Sequence, residues 1–167
     1  MEKGYGTNII FNDLKVGDIV ELEGPMGDEL IVDNSAEKIL FIGNGIGITP
    51  FIGLTKDVLT NNPRVKDIKL LDGQRYENEF LYRDYFESLD KEEDNFEYIP
   101  MVSRDKNTSI RKGYVTHALK DMDLKGYKVY ICGSKNMVID SYNILLKKGV
   151  KEEDIFYESE EKISINN

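Results

Sequence analysis

Residues 41–53 read FIGNGIGITPFIG, in which an apolar run enters a cluster of glycines and a Thr-Pro pair leads into a second apolar run. The first run, continuous over residues 39–42, is typical of a strand buried on both faces. Pro50 suits the first turn of a helix, where its missing N–H costs nothing. Gly45 and Gly47 permit a tight turn that a pyrophosphate can approach, facing the free N–H groups of that helix. The segment predicts a strand, a phosphate-binding turn and a helix; the alternative is a turn that needs glycine only for its backbone.

The same alternation of apolar runs and helical spacing continues along the chain. Strands are predicted at residues 39–42, 68–71, 96–102, 129–132 and 154–157, and helices at residues 50 to about 61, 80–89, 114–122 and 136–148. Strands that alternate with helices indicate a parallel sheet covered on both faces. We therefore expect an α/β fold with a five-stranded parallel sheet of Rossmann-like type over residues 37–160.

Residues 1–36 have a different pattern. Apolar and polar positions alternate over residues 16–32, with Gly and Pro between them, which predicts short antiparallel strands joined by a turn. A piece this small cannot bury two faces by itself. We expect it to be the edge of a barrel or sheet whose remainder is not in this chain. Residues 161–167 carry no pattern and are expected to fray.

Charge and composition limit the class of partner. The net charge is −9 and the isoelectric point is about 4.7, which disfavours nucleic acids and anionic membrane surfaces. The single cysteine, Cys132, cannot form a disulfide within the chain, and with the single histidine, His117, it makes no convincing metal site. No apolar run approaches the roughly 18 residues of a membrane span, and the N-terminus does not read as a signal peptide. We expect a cytoplasmic protein without membrane insertion, in which His117 is packed or solvated rather than catalytic.

Polar and glycine residues follow each predicted strand. Because ligands of parallel sheets bind beyond the carboxyl ends of the strands, these positions are the candidate site. A hydroxyl beside a guanidinium suits a phosphate monoester, as at Ser103-Arg104. On the residues alone, the arginines are equally well read as solvated loop charges, and Cys132 as a small buried hydrophobe. The candidates that follow the second, third and fourth strands are Gly73, Arg75, Ser103, Arg104, Arg111, Lys112, Cys132, Gly133 and Met137.

Taken in order, five stretches resemble the pyridine-nucleotide-binding domain of the ferredoxin–NADP reductase superfamily. They are GNGIGITPF, LLDGQRYENEFLYRDYFESL, PMVSRD, VYICGSKNM and GVKEEDIFYESE. Upstream, GYGTNIIFNDLKVGDIVELEGPMG resembles the last part of the family's FAD-binding barrel, where Gly4 and Thr7 match a segment at the flavin pyrophosphate. The family's Arg-x-Tyr-Ser/Thr segment, which holds the flavin ring, is missing from this sequence. Asn44 and Ser134 differ from the residues commonest at their positions.

The resemblance implies hydride transfer from NAD(P)H to FAD, which then relays electrons to a carrier such as an iron–sulfur protein. It implies that the turn residues Gly45, Ile46, Gly47, Thr49 and Pro50 line the pyrophosphate and nicotinamide path. Cys132, Gly133 and Met137 would lie at the nicotinamide, and Glu158 near the flavin ring, so that Cys132, Glu158 and Thr49 are the catalytic candidates. Residues 159 and 160 do not match the aromatic residue that often follows this glutamate.

The resemblance also bears on which nucleotide is used and on what the chain does alone. Ser103 and Arg104, with Arg111 or Lys112, match positions that hold the 2′-phosphate of NADP, which favours NADPH slightly over NADH. The chain is expected to be incomplete as an isolated enzyme. The alternative is a nucleotide-binding subunit or fragment that is inactive until a partner chain or missing domain supplies the flavin site. A flavodoxin-like or receiver-like regulatory domain is less well supported, because the first turn is neither acidic nor rich in Ser and Thr.

Overall fold

The computed structural model describes residues 5–24 and 29–158 of the 167-residue chain. The strands are β1 Lys38–Asn44, β2 Asp67–Gln74, β3 Phe96–Val102, β4 Arg111–Lys112, β5 Tyr127–Cys132 and β6 Ile155–Tyr157. The helices are α1 Tyr5–Asn8, α2 Pro50–Asn61, α3 Arg83–Glu92, α4 Val115–Asp121 and α5 Lys135–Lys147. None of the helices in this described part of the chain is long and apolar enough to cross a bilayer.

One sheet carries the fold, with strand order β4-β3-β2-β1-β5-β6 and parallel pairing throughout. The prediction of a parallel α/β sheet is confirmed, but the predicted number of five strands is wrong. The sixth strand is β4, in which Arg111 and Lys112 pair with Met101 and Val102. Two residues are too few to show a periodic pattern, so this strand forms only because the edge of β3 is available to it.

The core lies on both faces of the sheet because β1 is apolar at successive positions. Ile39 and Phe41 point into one cluster with α2 and α3, and Leu40 and Ile42 point into the other with α4 and α5. All four side chains are fully buried. The continuous apolar run of β1 therefore does what the sequence predicted, and it fixes β1 at the centre of the sheet.

The third helix begins later than predicted, at Arg83 instead of residue 80. Tyr82 adopts a left-handed conformation with φ of 59°, which separates α3 from the short turn Glu77–Glu79. The Glu79 carboxylate accepts the N–H groups of Arg75 and Tyr76, each at 3.1 Å, and so holds that turn apart from the helix.

The antiparallel strands predicted for residues 1–36 are not found in the part of that stretch that the structure describes, residues 5–24 and 29–36. Residues 5–13 are helical instead, as α1 followed by the turn Ile9–Asp13. A strand needs a neighbour to satisfy its backbone, and in the described part of the chain residues 5–24 pair with no strand. Apolar side chains of this segment are correspondingly exposed: Phe11 by 80%, Ile19 by 96% and Leu22 by 91%. Residues 25–28, in the predicted turn, and the predicted frayed tail lie outside the described residues.

The segment before β1 is fixed to the sheet by polar contacts. The Asp33 N–H donates to the hydroxyl of buried Tyr130 at 2.9 Å. Lys128 lies 2.9 Å from carboxylate oxygens of both Asp33 and Asp154. A hydrogen bond from Ser35 and the Lys128 ammonium lower the pKa of Asp33 to about 2. The chain therefore enters the sheet at a fixed position on β5.

Candidate functional site

The carboxyl ends of β1 and β5 lie side by side, with Gly43 opposite Cys132. From β1 the sheet continues through β2 on one side, whereas β5 and β6 lie on the other. The connections that leave β1 and β5 therefore diverge, which opens a crevice above the strand ends. The glycine turn and the Cys-Gly turn quoted above both end up at this crevice.

The glycine turn and the Cys-Gly turn touch backbone to backbone. A methyl group placed on Gly47 would lie 2.4 Å from the carbonyl oxygen of Cys132 and 2.5 Å from the Cα of Gly133. Real Cβ atoms do not approach backbone this closely, and neither partner is a flexible side chain that can give way. Gly47 is therefore required by the approach of the two turns.

Asn44 locks the two turns together. Its Nδ2 donates to the Ser134 hydroxyl at 3.0 Å, and its Oδ1 accepts the Ser134 N–H at 2.8 Å. Gly133 passes beneath with φ of 152°, and a Cβ there would lie 2.1 Å from the Asn44 Oδ1 and 2.7 Å from the Met137 Cε. Asn44 and Ser134, which each differ from the commonest residue of the resembled family, are thus partners of each other.

The glycine turn presents an open face at the start of α2. Gly45 adopts φ of 57°, and residues 45–48 form a single short helical turn. The Thr49 hydroxyl donates to the Ile46 carbonyl at 2.9 Å, and Pro50 is the first residue of α2. The Ile46 side chain is 80% exposed and no atom lies within 4 Å of a Cβ built on Gly45. The start of a 12-residue helix beside open space favours a bound anion.

The loops after β2 and β3 run side by side and bring two arginines to the same edge. Ser103 and Arg104 donate their N–H groups to the carbonyls of Gln74 and Arg75, at 3.0 and 2.9 Å. The side chains of Arg75 and Arg104 are exposed, and Ser103 is partly buried. Together they form a basic rim next to the glycine turn.

Arg111, Lys112 and Gly73 have contacts of their own. The Arg111 guanidinium lies 3.6 Å from the Asp121 carboxylate, and Lys112 donates to the carbonyl of Lys106 at 2.7 Å. A Cβ on Gly73 would lie 2.8 Å from a methyl of Val115 at the start of α4. The packing of α4 therefore accounts for Gly73. Its predicted contact with a cofactor stays a prediction.

Cys132 and Glu158 meet at the end of β5. The Cys132 thiol donates to a Glu158 carboxylate oxygen at 3.4 Å, and the Glu158 N–H continues the pairing with Ile131. Burial, together with the neighbouring Glu158, raises the pKa of Cys132 to about 12. The thiol therefore stays protonated near neutral pH, where it is a neutral donor and not a nucleophile.

The described part of the chain contains only one of the two residues predicted at the flavin pyrophosphate. Thr7 lies in α1 with its side chain exposed. Gly4 lies outside the described residues. Their proposed role stays a prediction.

Sequence reasoning missed a buried polar group below the glycine turn. The Asp72 carboxylate is fully buried and accepts hydrogen bonds from the Tyr98 hydroxyl at 2.8 Å and from Gln74 Nε2 at 2.9 Å. The same Nε2 lies 3.4 Å from the Gly45 carbonyl oxygen. Burial raises the pKa of Asp72 to about 6, against the effect of its two hydrogen bonds. The available signal was the period-2 spacing along β2, which puts Ile68, Leu70, Asp72 and Gln74 on one face. It was missed because the apolar run ends at residue 71.

A second feature is an open cleft of about 600 Å³ between α4 and α5, whose lining includes His117, Lys120, Asp140 and Lys147. It is formed by helix surfaces and not by strand ends. It therefore lacks the glycine turn and the closely spaced backbones of the crevice.

Comparison with known proteins identifies the same region. The family model "Oxidoreductase NAD-binding domain" matches residues 41–142. The reductase component DmpP of phenol 2-monooxygenase from Pseudomonas sp. (strain CF600) is 33% identical over 164 residues, which are 95% of this chain and 46% of that protein. The chain thus spans about half the length of the curated relatives it matches.

Two solved structures extend the comparison. The CS-b5R domains of human Ncb5or in the NAD⁺ form share the fold, with a TM-score of 0.84 at 19% identity over 95% of this chain and 47% of that one. A mutant ferredoxin–NADP⁺ reductase from Plasmodium falciparum, solved in complex with 2′P-AMP, matches with a TM-score of 0.74 at 25% identity. That match covers 93% of this chain and 66% of that one.

Two glycine substitutions should change the stability of the protein in opposite directions, because Gly47 lies at the contact between the two turns and Gly53 does not. Gly47→Ala should lower the free energy of unfolding by about 2 kcal/mol or more, because the methyl must displace the Cys132–Gly133 backbone. Gly53→Ala, at an exposed position within α2 with open space around it, should raise the free energy by about 0.5–1 kcal/mol. Urea unfolding measures both. Equal stability of the Gly47→Ala variant and the parent would contradict the close approach.

The buried carboxylate predicts a pH-dependent difference in stability. Since folding raises the pKa of Asp72 from 3.8 to about 6, its ionisation costs stability as the pH rises between these values. Asp72→Asn removes this cost. The stability of the variant relative to the parent should therefore increase by up to about 3 kcal/mol between pH 4 and pH 7. Urea unfolding of both proteins across this pH range measures the difference. A difference in unfolding free energy that does not change with pH would show that Asp72 is not a buried carboxylate with a raised pKa.

Proposed function

Because the chain belongs to the oxidoreductase NAD-binding domain family, within the ferredoxin–NADP reductase superfamily, we propose that it binds NAD(P)H across the crevice above β1 and β5 and delivers hydride to a flavin. The observation that carries this proposal is the backbone contact of Gly47 with the Cys132–Gly133 turn. This contact brings the start of α2, which suits an anion, beside a Cys-Gly turn at the topological switch point of one parallel sheet.

The residues at the crevice fit a dinucleotide. The pyrophosphate lies over Gly45, where the left-handed turn leaves open space and α2 begins. The exposed Arg75 and Arg104 lie on the side of β2 and β3, where they meet the adenosine half of the nucleotide. The nicotinamide half extends the other way, to Cys132 and Gly133 on β5.

A bound FAD would accept the hydride that NAD(P)H supplies and would relay electrons to a carrier. The residues of this chain position the reactants. The protonated Cys132 thiol is a neutral contact for the nicotinamide ring, and its bond to Glu158 fixes the direction of the sulfur. Thr49, at the end of the glycine turn, lines the same path. None of these side chains needs to exchange a proton for a hydride to move.

We propose that the flavin is held mainly by a part of the protein that is not in this chain. The chain spans about half the length of its curated relatives, and residues 10–22 expose Phe11, Ile19 and Leu22 to solvent. A flavin-binding barrel packed on these side chains would bury them and supply strand neighbours to residues 5–24 and 29–36, which pair with no strand in the described part of the chain. The same exposed surface supports the alternative, in which a separate partner chain completes the flavin site.

The electron acceptor is proposed from the first relative. That protein is named as the reductase component of a phenol 2-monooxygenase. We infer that this chain likewise serves an electron-carrier protein or domain, such as an iron–sulfur protein. We assign NADPH as the preferred donor. Ser103 and Arg104 lie next to each other after β3, where a hydroxyl beside a guanidinium suits the 2′-phosphate. A related reductase was solved in complex with 2′P-AMP, which agrees with this preference.

Arg104→Ala tests the choice of nucleotide. Loss of a charge-assisted hydrogen bond to a 2′-phosphate should weaken NADPH by about 10- to 100-fold and NADH by much less. Arg64→Ala is the matched control. Arg64 is also exposed, but it precedes β2 and therefore lies at the amino ends of the strands, away from the crevice. Titration calorimetry with both nucleotides measures the losses. Equal losses for NADPH and NADH in the Arg104 variant would contradict the 2′-phosphate assignment.

Flavin content tests the division of the site. The purified chain should bind NAD(P)H saturably and retain little or no FAD, because the segment that holds the flavin ring in the family is missing from this sequence. Absorbance at the flavin bands and NAD(P)H oxidation, with and without added FAD, measure both properties. Tight stoichiometric FAD in the purified chain would refute the proposed division, and the lack of any nucleotide binding would refute the function.

A further inference from the structure

Below the glycine turn, hydrogen bonds connect Tyr98, Asp72, Gln74 and the Gly45 carbonyl in a continuous series. Phe86 stacks on the Tyr98 ring with centroids 5.4 Å apart, and the Tyr98 hydroxyl donates to Asp72. Asp72 accepts Gln74 Nε2, and this nitrogen also faces the Gly45 carbonyl. Asp72 and Gln74 are both buried. The connection begins in the apolar core and ends on the backbone of the turn that receives the pyrophosphate.

A carboxylate has a specific effect on this arrangement. An ionised Asp accepts hydrogen bonds and donates none, so the Gln74 amide must present its NH₂ group to Asp72. The second hydrogen of that group is then available to the Gly45 carbonyl. The opposite amide orientation would bring the Gln74 oxygen against both the Asp72 carboxylate and the Gly45 oxygen, which repel it.

We propose that Asp72 is a positioning residue for the nucleotide site, which orients the Gln74 amide so that it holds the Gly45 carbonyl and thereby the left-handed turn. The proposal rests on the proposed function and adds two residues that touch no substrate. Among the described residues, Asp72 is connected to the Gly45 carbonyl through the Gln74 amide.

The coupling of Asp72 to Gln74 separates this role from a structural one. Replacing Asp72 by an apolar residue removes a buried charge, but it also leaves the Tyr98 hydroxyl and the Gln74 amide without their acceptor, so the net change in stability has no fixed sign. The raised pKa of Asp72 reflects the burial of the charge. A residue retained for packing alone would act on affinity independently of Gln74. A positioning carboxylate should affect affinity only while Gln74 is present.

A double-mutant cycle tests the proposal with Asp72→Leu, which keeps the branched shape, and Gln74→Met, which keeps the length. We expect each single variant to bind NADPH about 3- to 10-fold more weakly, as for the loss of one hydrogen bond. The double variant should bind no more weakly than either single variant, because Asp72 acts through Gln74.

Asp67→Leu is the matched control. Asp67 is also on β2 and also accepts a tyrosine hydroxyl, from Tyr127, but it lies at the amino end of the strand. Its replacement should leave NADPH affinity unchanged. Unchanged affinity in the Asp72 and Gln74 variants, or losses that multiply in the double variant, would each overturn the proposal.

A measurement without nucleotide keeps the two proposals distinguishable. In ¹H–¹⁵N spectra of the full chain, the amide signals of Ile46 and Gly47 should shift in the same direction in Asp72→Leu and Gln74→Met. Unshifted signals would overturn the positioning role even if the parent binds NADPH. If the parent binds neither NADPH nor NADH, the proposed function fails, and so does the assignment of this network to it.

Discussion

The close approach of Gly47 to the Cys132–Gly133 backbone is the constraint on which the site depends. It requires β1 and β5 to be neighbours, because only adjacent strand ends bring two turns within van der Waals contact. It also requires glycine at both positions, since a Cβ on either would overlap the other turn or the Asn44 side chain. The Asn44–Ser134 pair then fixes the gap between the turns. The adjacency of β1 and β5, the two glycines and the crevice between their turns are therefore linked by one contact.

The polar network below the turn shows where the fold departs from simple core packing. Ile68 and Leu70 on β2 are buried apolar residues, as a central strand requires. Two residues further on the same face, Asp72 is buried as a carboxylate. A local departure of this kind is expected at functional sites, where stability is traded for a defined geometry. Its connection to the Gly45 carbonyl through the Gln74 amide agrees with that expectation.

The sequence predicted the elements whose apolar pattern is strong, and it failed where structure depends on neighbours. The run at residues 39–42 predicted β1 because four successive apolar residues suit few other structures. β4 was missed because two residues gain strand geometry only from the edge of β3. The start of α3 was predicted three residues too early because the left-handed conformation of Tyr82 keeps the preceding residues out of the helix. The strands expected in residues 1–36 were inferred from alternation alone, which does not supply a pairing partner. Among the site residues, the glycines could be predicted from the motif, whereas the Asp72–Gln74 connection appears only once β2 is known to extend to residue 74.

The central claim is that a nucleotide occupies the crevice between the turn at residues 43–49 and the turn at residues 132–134. Amide chemical-shift mapping of the chain during titration with NADPH tests it most directly. The account predicts saturable one-to-one binding with the largest shifts at Gly45, Gly47 and Gly133, and smaller ones at Arg75 and Arg104. Largest shifts at His117, Lys120 and Lys147 in the cleft between α4 and α5, or no saturable shift at all, would contradict it.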